Sequence, residues 1–158
     1  MRNKTNIILG AGVIVLIALC IVSILSPMSF AEERKTRERQ VKECLVGIRQ
    51  AEENYRARHG AYCGNIDRLV REMRMPAKTV YIPGSAKKKW KIQTAVVPGS
   101  NDKPVPLMEC GATYSEYLHG LNEQEIERIT KIADGNGKYP GLKIGNIITP
   151  NNNAGNWE

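Results

Sequence analysis

The sequence predicts an α+β fold in which a long N-terminal helix packs on a small antiparallel β-sheet, with an additional C-terminal helix. Three observations carry this. Residues 7–25 form an uncharged apolar run, and beyond Pro27 apolar residues recur every three or four positions, the period of an amphipathic helix. After Pro76 the pattern changes to short stretches of β-branched and aromatic residues with Pro-Gly punctuation, as in strands and turns. Asn122-Glu-Gln-Glu125 then opens a second helical period with a capping signature. With 158 residues, a single Phe and 6% aromatic residues, the chain can build one modest core, mainly of Ile, Leu, Val and Ala.

The segment from Ile7 to Leu25 contains no charge. As helix, at about 1.5 Å per residue, it extends roughly 28 Å, close to the hydrocarbon thickness of a bilayer. Residues 1–30 are therefore expected to be a transmembrane anchor and its juncture. This makes the chain a single-pass inner-membrane protein, with membrane lipid as a partner. Cleavage near Ala31 is the competing reading: Arg2 and Lys4 form a basic start and Ser29-Phe30-Ala31 offers small residues. Signal peptides, however, carry an apolar core of only about 7–15 residues, so retention is expected. Cys20 is a poor lipidation site, because bulky Leu19 precedes it and apolar sequence follows it. Gly10-Ala-Gly12 lacks the third glycine of a dinucleotide fingerprint and fits better as small residues inside an apolar helix.

Two signals for orientation oppose each other. Arg34, Lys35, Arg37, Arg39 and Lys42 outnumber Arg2 and Lys4, which favours a cytoplasmic domain. Long domains, however, translocate largely regardless of charge and the four cysteines favour the outside, so a periplasmic, extracytoplasmic domain is expected. The net charge is +7, and removing Arg2 and Lys4 leaves +5 for residues 31–158. These basic residues alternate with Glu32, Glu33, Glu38 and Glu43, a solvated helix face with no aromatic stacking groups among them, so no nucleic-acid partner is expected.

The remaining chain, 31–158, reads as one globular domain. Residues 31–60 form the amphipathic helix, with Val41, Leu45, Ile48, Ala51 and Tyr55 as its packing face and Gly60 as the stop. Residues 61–76 hold a short helix, N-capped by Asn65, in which Ile66, Leu69, Val70 and Met73 share a face. Residues 77–111 are β-rich. Thr79-Val-Tyr-Ile82 and Trp90 to Val97 pair across Pro83-Gly84-Ser85, Lys87-Lys-Lys89 guards the loop or edge, and Val105 to Cys110 adds a strand with Pro106 at an edge. Residues 112–137 are helical, and 138–158 form an irregular tail ending near Trp157.

Ile48-Arg-Gln-Ala-Glu-Glu-Asn-Tyr-Arg-Ala-Arg-His-Gly-Ala-Tyr62, at the end of a helix that starts apolar, resembles the helix-end motif of the type IV pilin and type II secretion pseudopilin superfamily. With Ser26-Pro-Met-Ser-Phe30, it is more similar to single-pass proteins of Bacteroidetes that carry a Ser-Pro-x-x-Phe juncture. The resemblance covers about residues 7–75. It implies a pilin-like fold and a bacterial envelope protein. It does not extend to leader processing, because no acidic residue lies between Met1 and Ala31 where prepilins place a glutamate.

Chemistry-bearing constellations are sparse. Cysteines 20, 44, 63 and 110 contain no C-x-x-C pair and only His59 and His119 could join them, so neither a metal site nor a cofactor is expected. Cys44 lies beside the helix stripe as a small apolar residue, while Cys63 and Cys110 are a candidate disulfide if the domain is exported. His59 near Cys63 suggests a base and nucleophile, but a histidine at a helix end is the plainer reading. The expected function is non-catalytic: a membrane-anchored, pilin-like structural or assembly component that docks on itself or on other envelope membrane proteins. The alternative is a tethered module binding a ligand in the loops around Cys63, Pro98 to Pro104 and the Asn-rich tail.

Overall fold

A computed structural model describes the backbone of residues 2–99 and 103–158, and the side chains of residues 10–17, 19–20, 29–99 and 103–158. The chain divides into two units, Met1–Lys35 and Thr36–Glu158. Helix α1 is assigned over Arg2–His59. Helical backbone runs through Pro27, a residue that removes one helical hydrogen bond and tends to end or kink a helix. The helix formers from Ala31 to Arg34 continue it, so the proline's cost stays local.

The transmembrane reading is corrected. Among the described residues no helix is long and apolar enough to cross a membrane, which removes both the single-pass span and the inner-membrane assignment. The continuous described stretch within that run is Gly10–Ile17, far short of the roughly 20 apolar residues a crossing needs. The side chains of Ile7 and Leu25, the predicted limits of the span, lie outside the described residues.

In the second unit α1 ends at His59 because Gly60 adopts φ +77°, the left-handed C-cap conformation that glycine reaches without strain. All five predicted face residues are buried: Val41, Leu45, Ile48, Ala51 and Tyr55. Helix α2, Ile66–Glu72, starts where the Asn65 side chain accepts the Arg68 amide at 2.9 Å, and it buries Ile66, Leu69 and Val70. Helix α3 is Tyr114–Tyr117, and α4 is Glu123–Gly135, capped by Asn122 accepting the Glu125 amide at 3.2 Å. The predicted C-terminal helix is therefore present.

The sheet is three-stranded and antiparallel, in the order β1-β2-β3, with β1 Lys91–Pro98, β2 Pro104–Thr113 and β3 Gly141–Gly145. Ile92, Cys110 and Ile144 lie in register across it and are all buried, as are Ala112 and its partner Leu142. These rows form its core face. Pro106 stands opposite Val96 but has no β3 partner, since β3 pairs only with Glu109 to Thr113. It therefore occupies the edge-like position a proline requires.

Two strand assignments change. Thr79 and Val80 enter a 3-10 turn, Ala77–Val80, after Pro76, where both are buried. The expected hairpin reduces to one bridge, Tyr81 with Lys89, closed by Ile82 donating to the Lys88 carbonyl at 2.8 Å. β3 lies inside the segment expected to be irregular, because its Gly-Leu-Lys-Ile-Gly sequence is short and bounded by glycines. At Gly145, φ is +73° and a Cβ would collide with the Met108 carbonyl oxygen, so the turn out of β3 needs glycine.

Candidate functional site

The apolar period of α1 places position 52 one turn after Ile48, on the buried stripe, and a carboxylate stands there. Glu52 is 0% exposed. Its Oε2 accepts the Cys63 amide at 2.7 Å, holding the chain where it turns back from the helix. Its Oε1 is buried without a partner. Burial pushes the Glu52 carboxyl above the ordinary glutamate range, the backbone amides of Cys63 and Gly64 pull it partly back, and neighbouring Glu53 adds to the rise. Glu52 also acts across the core on Cys110 of β2, whose thiol is held far above its ordinary value by burial first, then by Glu52 and Glu109. Glu52 on α1 and Cys110 on β2 are therefore near enough to interact electrostatically within the core.

One position on, Glu53 organises a second polar cluster. Asn153 Nδ2 donates to Glu53 Oε1 and, at 2.7 Å, to the Tyr62 hydroxyl. The Tyr62 hydroxyl donates to Glu53 Oε1 at 3.0 Å and accepts from Arg56 at 2.9 Å, while Arg56 also pairs with Glu53 Oε2 at 2.9 Å. Asn153 is buried with φ +54°, a conformation asparagine tolerates better than most residues. Arg49 binds the Asn153 carbonyl at 3.3 Å and the Glu158 carboxylate at 2.8 Å, and Lys42 sits 5.7 Å from the Trp157 ring centre.

Asn156 fastens the same tail to the outer edge of β3. Its amide donates to the Lys143 carbonyl at 3.0 Å, and its side chain accepts from Lys143 N and donates to the Gly141 carbonyl. The tail is thus a clasp between α1 and the sheet, and it covers an edge that would otherwise invite pairing. Asn153→Ala, which removes one buried and one part-buried side-chain bond, is expected to cost about 1–2 kcal/mol. Hydrogen exchange should accelerate in residues 151–158 while protection of β1 is retained.

The cysteine and histidine candidates do not assemble. Cys63 and Cys110 are both free thiols, so the candidate disulfide is not formed; Cys63 is half-buried and Cys110 buried. His59 stacks on Tyr55 with ring centres 4.1 Å apart, and its Nε2 lies 3.8 Å from Glu72. The Cys63 thiol instead donates to the Asn65 carbonyl at 3.5 Å. Cys44 is half-buried, and burial followed by Glu43 raises its thiol. Among the described residues no grouping of His, Cys, Asp and Glu could hold a metal ion.

In the first unit the apolar segment is open. Val13, Ile14, Val15, Leu16, Ile17 and Leu19 are each between 50% and 69% exposed. Five consecutive residues on a helix, at 3.6 per turn, point to every side of it, so the stretch Val13–Ile17 is apolar and exposed all round. A Cβ built at Gly10 or Gly12 would meet nothing within 4 Å. No family model, curated protein or solved structure matches the chain.

Proposed function

We propose that the protein is a non-catalytic, pilin-like assembly module, in which the apolar N-terminal helix packs against the same helix of other copies and the compact unit is carried on it. The observation that supports this is the all-round exposure of Val13 to Ile17 and Leu19. Apolar surface of that extent on a helix is stabilised only when another apolar surface covers it, and a second copy supplies an identical one. The pilin-like reading draws on the long N-terminal helix, the Ala51 to Tyr62 motif at its end and the three-stranded antiparallel sheet that follows it in the chain. A non-catalytic role accords with the commitment of Glu52, Glu53, Tyr62 and Asn153 to holding loop and tail.

Cys20 is an exposed thiol in the same segment and reports on the packing directly. Mild oxidation of the purified full chain, with the linked peptides mapped by mass spectrometry, should yield a Cys20–Cys20 product whose amount rises with protein concentration. Ile14→Asp with Ile17→Asp should abolish it while leaving the circular dichroism of the compact unit intact. Equal yield in that variant would remove the proposal.

A second reading, a ligand-binding module, is favoured by a cleft of about 320 Å³ where Tyr62, Leu107 and Asn151 to Asn153 converge. Residues 100–102 of the loop assigned to it lie outside the described residues. The cleft's Glu53, Arg56, Tyr62 and Asn153 satisfy one another, which ranks a structural clasp above a ligand site.

A further inference from the structure

Gln50, Asn54 and Arg58 recur every fourth residue along one ridge of α1, and together with Arg74 they line an open cleft of about 510 Å³. Its apolar walls come from Met73 and Met75. The other arginines nearby are engaged: Arg56 with Glu53, Arg68 with Glu72 at 2.7 Å, and Arg71 with the Asp67 carbonyl. Neither the Arg58 nor the Arg74 guanidinium has a hydrogen-bond or ion-pair partner among the described residues. Glu72 also borders the cleft, but Arg68 and His59 hold its carboxylate, and Arg68 keeps it below the ordinary glutamate range.

Arg74 stands at the C-terminal end of α2 with φ +54°, where glycine is the unstrained choice. A helix C-terminus favours a cation, which accounts for the charge at this position but not for an arginine in left-handed backbone. Arg58 and Arg74 thus bring two exposed guanidinium groups, without an acidic partner among the described residues, to the lining of one cleft. An anion bound there would find both charges uncompensated. Planar donor forks joined by carboxamide donors suit the several oxygens of a phosphate group.

The geometry points to a binding site for a soluble organic phosphate, its phosphoryl oxygens held by Arg58, Arg74, Gln50 and Asn54 and its organic part resting on Met73 and Met75. The site lies in the second unit, on the C-terminal part of α1 away in sequence from its apolar segment, and does not depend on assembly. Calorimetric titration of the full chain with inorganic phosphate and with phenyl phosphate tests it. Both should bind saturably with one site per chain, phenyl phosphate more tightly. Arg58→Gln and Arg74→Gly should each weaken binding roughly tenfold, the effect of losing one charge-assisted contact. Arg74→Gly relieves the left-handed strain, so its melting temperature should hold or rise, separating lost binding from lost folding. Exposed Arg128, paired with Glu125 on α4, is the control, and Arg128→Gln should bind as the native chain does. Absence of saturable binding, unchanged affinity in the Arg58→Gln, Arg74→Gly double variant, or phenyl phosphate binding no more tightly than inorganic phosphate would overturn the assignment.

Discussion

Glu52→Ala is expected to destabilise the compact unit by on the order of 3 kcal/mol, the largest loss for any polar residue of the chain. Truncation leaves the Cys63 amide without its carboxylate acceptor and opens a void where the fully buried Glu52 side chain stood. A buried donor stranded in this way costs about 1–3 kcal/mol in unmet hydrogen bonding, and the void adds to that. Glu52→Gln separates charge from shape, because its carbonyl oxygen can still accept the Cys63 amide. The native carboxyl is raised by burial, so the folded state keeps its proton at pH values where the unfolded chain has released it. Its contribution to stability is therefore complete below the ordinary glutamate value of 4.5 and is lost as pH rises through the higher folded value. Glu52→Gln has no such proton to lose. Chemical denaturation across pH should show the variant gaining on the native chain as pH rises above 4.5. A constant difference between the two would remove the role assigned to the buried carboxyl.

Ile48→Ala is expected to cost about 3 kcal/mol, near the middle of the range for buried aliphatic truncations, and to lower the melting temperature by roughly 10 °C. Ile48 is 0% exposed and lies one turn before Glu52 on the buried stripe of α1. Val46, two residues before it, is 40% exposed, so Val46→Ala should change stability by less than about 0.5 kcal/mol. Comparable losses at the two positions would mean that the stripe is not the packing face.

The elements with strong local signals were legible in the sequence. The 3.6-residue period located the α1 stripe, Asn65 and Asn122 located the starts of α2 and α4, and Gly60 located the end of α1. The strands were harder, because pairing is decided by contacts distant in sequence. Thr79 and Val80 have the composition of a strand yet serve better buried in a turn, and Gly141 to Gly145 have almost no strand signature yet complete the sheet. The transmembrane assignment rested on an apolar run, and no described helix meets the requirement for crossing a membrane.

The site was legible only in part. The helix-end motif drew attention to residues 51–62, but an alternation of apolar and polar residues cannot show that Glu52 faces inward and Arg58 outward. The available signal was the spacing of Glu52 from Ile48, which puts a carboxylate on an otherwise apolar row. Asn153 gave no local signal, because its partners Glu53 and Tyr62 lie about a hundred residues earlier in the chain.

Self-assembly through the exposed apolar helix is tested most directly by sedimentation velocity on the full chain, with and without Ile14→Asp and Ile17→Asp. The native chain should sediment as a concentration-dependent series of oligomers and the variant as a monomer of unchanged fold. A native chain that remains monomeric at every concentration, or a variant that associates to the same extent, would contradict it.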